Sequence, residues 1–102
     1  MIRAIGLGRV CSEARYKEIS KEGGTLSFRI KVDSKTGSCF YNCSYWVSRT
    51  DKIIDALKEN AVVYLEGYWH TFSERKTDGS WLNLNTFRVQ TLKMFSNTGE
   101  EL

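Results

Sequence analysis

Proline is missing from all 102 residues, histidine occurs once, and the uncharged runs are far too short to cross a bilayer. The lack of proline suits a strand-dominated body but decides nothing by itself. The one histidine, His70, has no nucleophile or paired carboxylate brought to it by spacing, so catalysis has no positive support. A glycine-rich phosphate loop and a metal-ligand spacing are missing too, and no cofactor is implied. The opening MIRAIGLGRVC lacks a sustained apolar segment with a small-residue cleavage site, so a cytoplasmic location is the default expectation. Cysteine is sparse and odd in number, three in all, which argues for free thiols. Zinc held by Cys11, Cys39, Cys43 and His70 is disfavoured. On one strand Cys39 and Cys43 would stand about 13 Å apart, too far to share a metal with contacts near 2.3 Å or to form a disulfide.

What is present describes one ordinary domain. Apolar content of 41% and charged content of 26% match a soluble globular chain. The net charge of +3 hides a gradient. The last seven residues, SNTGEEL, hold Glu100 and Glu101 and no base, so residues 1–95 carry 15 basic and 10 acidic groups, a net +5. Residues 1–95 are expected to be the folded domain and residues 96–102 a short flexible acidic tail. A moderately basic body fits a polyanionic partner.

The stretch CFYNCSYWVS, residues 39–48, is the most informative. Side chains alternate along a strand, so Tyr41, Cys43, Tyr45 and Val47 share one face while Phe40, Asn42, Ser44 and Trp46 share the other. One aromatic face is explained by a core. Rings on the second face, among small polar residues, suit a platform for flat ligands, of which nucleobases are the commonest. The alternative is a strand buried on both faces.

The chain in order supports the platform. Residues 2–10 read as a strand interrupted by Gly6 and Gly8, and the polar residues 11–24 read as a long loop. Residues 25–32 alternate: Leu26, Phe28, Ile30 and Val32 face one way, Arg29 and Lys31 the other. The turn residues 33–38 pair this strand with residues 39–48, which puts Arg29 and Lys31 beside Phe40, Asn42 and Trp46. Residues 50–60 form the one helix, capped by Thr50 or Asp51 and ending at Asn60. Residues 61–73 make a fourth strand with Tyr68, His70 and Phe72 on its outward parity and Trp69 on the core parity. Asp78-Gly79 marks a hairpin into residues 81–95, where the slip in apolar parity predicts a bulge near Asn85 and Thr86.

Five strands with a helix between the third and fourth match the all-β, five-stranded Greek-key barrel of the OB-fold. Several segments together resemble the bacterial-type single-stranded DNA-binding protein family. They are Gly8-Arg9-Val10, Glu13 with Arg15-Tyr16, Phe28-x-Ile30-x-Val32, Phe40, Trp46, Ala56-Leu57 and the run VYLEG at residues 63–67. The likeness spans the chain to about residue 95.

The resemblance implies sequence-tolerant binding of single-stranded DNA in replication, recombination or repair. Phe40 and Trp46 fall where the family stacks bases, and Tyr68, His70 and Phe72 take its outward positions on the fourth strand. Arg3, Arg9, Arg15, Arg29, Lys31 and Asn42 fall on or beside the DNA path. His70, with no catalytic partner, is read as a surface histidine within reach of phosphate. Arg75 and Lys76, at the hairpin tip, either contact phosphate or are simply solvated. Glu74 stands where many members carry a stacking tryptophan, which leaves Trp81 or Phe72 for that role. A homo-oligomer, dimer or tetramer, and replication or recombination proteins are the implied partners. The implied setting is the nucleoid of a bacterial cell or a phage-infected host, and the short tail suits a phage or mobile element. The second reading is an OB module for protein assembly, similar to the primosomal adaptor proteins.

Overall fold

A computed structural model describes residues 2–95, apart from the side chains of Ile2, Ser34, Phe72, Asn83 and Leu84; the tail expected at residues 96–102 lies outside it. Among the described residues there are six strands and one helix. In order they are β1 Ile2–Val10, β2 Arg15–Glu18, β3 Gly23–Ser34, β4 Gly37–Ser48, α1 Ile53–Ala56, β5 Val62–Arg75 and β6 Trp81–Phe95. Five of the strands neighbour one another as β1-β5-β6-β4-β3, and β3 returns to β1 where Arg9 opposes Lys31 and Val10 opposes Ile30. The ring is thereby closed. Only β4 and β6 run parallel. This is the OB-fold barrel that the strand count predicts.

The inward parity of each strand fills the barrel. Leu26, Phe28 and Ile30 meet Cys43, Val47, Val63, Leu65, Phe87 and Val89, all buried. Trp69 packs against that core, edge-on to Phe87 with ring centroids 5.4 Å apart and tilted against Tyr41 at 5.3 Å. Burial pushes the Cys43 thiol up to about 12, with Cys11 nearby adding to the effect.

Three local expectations are corrected. The polar stretch 11–24 is not all loop, because Arg15–Glu18 forms β2 along the edge of β3, with Arg15 opposite Ser27 and Glu18 opposite Gly24. An edge strand needs backbone partners more than an apolar face, and β2 buries little, so alternation could not reveal it. A side chain at Gly24 would run into the Lys17 carbonyl, so glycine is what lets β2 approach.

The helix is one turn, Ile53–Ala56, rather than residues 50–60. Asp51 does accept the Ile53 amide at 3.0 Å. Leu57, however, turns extended and buries its side chain in the core, gaining about 1.5–3 kcal/mol. So short a helix has little propensity to resist that pull. Asn60 is left-handed as expected (φ 74°), but beyond the helix, where its amide donates to the Val10 carbonyl at 2.7 Å.

The irregularity in β6 lies at Gln90, not at Asn85 and Thr86. The register passes from Glu66 opposite Thr91 to Gly67 opposite Val89, leaving Gln90 unopposed, while Asn85 and Thr86 pair regularly with Thr71 and His70. Parity changes near Leu84 for another reason. Beyond His70 and Thr86 the two strands pair only with each other, as an arm that leaves the barrel and has no core to face.

Candidate nucleic-acid interface

Because Leu26, Phe28 and Ile30 point inward, Ser27, Arg29 and Lys31 of β3 must point out, and β4 follows the same rule. Register then sets the neighbours: Lys31 opposes Phe40, Arg29 opposes Asn42, Ser27 opposes Ser44 and Thr25 opposes Trp46. Phe40 is 50% exposed and Trp46 54%. The burial of both faces of β4 that the sequence left open does not occur. The rings stand six residues apart, roughly 20 Å along the strand, with the polar side chains of Asn42 and Ser44 between them.

Cations lie against this platform. The Arg29 guanidinium carbon is 4.9 Å from the centroid of Phe40. Lys31 pairs with Asp33 at 3.7 Å. The Ser38 hydroxyl, which donates to Asp33 at 2.6 Å, and then Lys31 hold the Asp33 carboxyl below its usual range.

The outward parity continues around the wall. Asn42 opposes Thr86, which opposes His70; Ser44 opposes Arg88, which opposes Tyr68, which in turn opposes Arg3. On the other side Ser27 opposes Arg15 of β2. One transverse row therefore runs Arg3, Tyr68, Arg88, Ser44, Ser27, Arg15, with an arginine at each end and one in the middle. Arg88 is exposed and was missed from sequence. Its signal was present, since Phe87 and Val89 in the core put the residue between them outside.

Two open cavities flank the platform and share Asn42. One, of about 430 Å³, lies among Glu13, Arg15, Arg29, Asn42, Ser44 and Thr86. The other, of about 400 Å³, has Phe40, Trp69 and Asn85 in its wall.

The remaining sequence-predicted residues sit elsewhere. Arg9 is exposed, but its guanidinium donates to the Asn60 carbonyl at 2.9 Å. Trp81, 63% exposed, opposes Arg75 on the projecting arm, away from Phe40 and Trp46 in the pairing pattern. Arg75 and Lys76 are exposed at the arm's end, where Lys76 donates its amide to the Ser80 carbonyl at 2.8 Å and Gly79 takes φ 88°. The side chain of Phe72 lies outside the described residues. Among the described residues no three His, Cys, Asp or Glu side chains gather to hold a metal, and no helix is long and apolar enough to cross a membrane.

No protein-family model matches the chain, and no curated protein matches its sequence. Solved structures match in shape. The mitochondrial single-stranded DNA binding protein of S. cerevisiae superposes with a TM-score of 0.79 at 16% identity, over 94% of this chain and 96% of that one. The Plasmodium falciparum SSB in complex with ssDNA gives 0.75 at 16% identity, over 94% and 96%. A small single-stranded DNA-binding protein from Streptomyces coelicolor gives 0.70 at 13% identity, over 96% and 97%. At such identities the likeness is one of fold.

Proposed function

We propose that this protein binds single-stranded DNA with little regard to sequence and shields it during replication, recombination or repair, acting as a binding module and not as an enzyme. One observation carries the reading: the half-exposed rings of Phe40 and Trp46 share a face with Arg29 and Lys31. Rings offer stacking surfaces to any base, and the cations neutralise phosphates. Arg3, Arg15 and Arg88 extend the positive track, and Asn42, His70 and Tyr68 lie along it. Trp81, Arg75 and Lys76 form a second contact region on the arm, with Phe72 assigned there by its place in the chain. Arg9 contributes charge from beside Lys31. The three similar structures bear names of single-stranded DNA-binding proteins, which favours the same ligand here.

The free edge of β1 favours a homo-oligomer. That strand pairs with β5 from Ile2 to Arg9 but with β3 only at Arg9 and Val10, and its Ile5 and Leu7 are 63% and 60% exposed. An open edge carrying apolar side chains suits a second copy. The decisive experiment is titration with oligo(dT) while tryptophan fluorescence is followed, with sedimentation of the free and bound protein. Quenching with an affinity that falls steeply with salt supports the reading, and the absence of any response at micromolar protein rejects it.

A further inference from the structure

We propose that the cavity between β2, β3, β4 and β6 is a base-reading subsite that selects guanine within an otherwise sequence-tolerant track; this rests on the single-stranded DNA reading above. The cavity differs in kind from the stacking platform. Phe40 and Trp46 offer faces, which every base possesses. Here Glu13, Arg15, Arg29, Asn42 and Ser44 all line one space of about 430 Å³, ample for one base with its sugar. Such groups read edges, not faces.

Glu13 makes the site specific. A carboxylate beside a phosphate track opposes binding unless something neutralises it. Yet among the described residues no ion pair joins Glu13 to Arg15 or Arg29, although all three line the same cavity. The carboxylate and the guanidiniums are thus not spent on each other. Guanine is the base that uses both charges twice: its N1–H and N2–H donate side by side to a carboxylate, while O6 and N7 accept side by side from a guanidinium. Cytosine offers a carboxylate only its amino group. Adenine lacks the paired acceptors for arginine, and thymine lacks the paired donors for Glu13. Arg29 is also steadied, since its guanidinium rests over the Phe40 ring. A donor held in place loses less freedom on binding. Asn42, in register with both Arg29 and Thr86, borders this cavity and the one beside Phe40. A base read here and one stacked on Phe40 would therefore be near neighbours on one strand.

The test compares an all-thymine oligonucleotide with others in which one central thymine is replaced by guanine, cytosine or adenine, with flanks long enough for the strand to slide into register. Guanine is expected to raise affinity about tenfold, and in Glu13→Gln the guanine-to-thymine ratio should fall to about one, whatever happens to thymine affinity. Equal binding of all four oligonucleotides, a preference for another base, or a guanine advantage that survives in Glu13→Gln overturns the subsite while leaving single-strand binding intact. Failure of every oligonucleotide to bind overturns both.

Discussion

The Arg29 guanidinium covers the Phe40 ring at 4.9 Å, so a cation and a stacking surface that both serve the proposed ligand also hold each other. A base that settles on Phe40 must share that ring with Arg29 or push it aside. Phe40→Ala and Arg29→Ala should therefore be non-additive for oligo(dT) binding. The double variant is expected to lose less than the sum of the singles by about 0.5–1 kcal/mol, measured as a double-mutant cycle in fluorescence anisotropy.

Among the described residues Trp46 has no such cover and opposes only Thr25 across the sheet. Its removal tests stacking alone. Trp46→Ala should weaken binding by about 1–3 kcal/mol with an unchanged far-ultraviolet circular dichroism spectrum, because a ring 54% exposed contributes little to the core. Wild-type affinity in this variant would remove the platform from the mechanism.

Arg88 sits between Ser44 and Tyr68 in the transverse row and is read here as a phosphate contact. Arg88→Ala should reduce the slope of log affinity against log salt by about 0.7 and weaken all sequences alike. Arg49, engaged with Glu18 at 3.4 Å, is the control whose removal should leave the slope unaltered.

Gly67 and Gly6 separate backbone need from mere small size. A Cβ at Gly67 would collide with the Arg88 carbonyl at the bulge, whereas a Cβ at Gly6 meets nothing within 4 Å. Gly67→Ala should destabilise the fold by more than about 2 kcal/mol in urea unfolding. Gly6→Ala should stay within about 0.5 kcal/mol of wild type.

Cys43 ties stability to alkaline pH. Its thiol lies near 12 in the fold against 9.0 when unperturbed, so the folded state favours the neutral form. That contribution is complete below 9.0 and is lost as pH rises towards about 12, because only the unfolded chain gains from ionisation. Between neutrality and a pH one unit above 9.0, wild type should lose about 1.4 kcal/mol more than Cys43→Ala, read from chemical denaturation at both pH values.

Alternation in the chain was enough to sort residues 25–32 and 39–48 into two faces, since a period of two is a local property of extended backbone. It separated Phe28 and Cys43 from Arg29, Lys31, Phe40 and Trp46 and marked the five strands of the barrel, while the exposure of Phe40 and Trp46 was decided by the fold. Long-range pairing lay beyond its reach. The partner of β2 is a neighbouring backbone and not an apolar pattern, the turn at Leu57 answers to the core, and the bulge at Gln90 appears only when β5 and β6 are laid side by side. Arg88 illustrates the division. Its outward direction follows from Phe87 and Val89 alone, but its place in line with Tyr68, Ser44 and Arg15 exists only because five strands, β2 to β6, share one register. Local sterics act between adjacent residues, whereas closing a barrel sets residues far apart in the chain against one another, and that contact assembles the row.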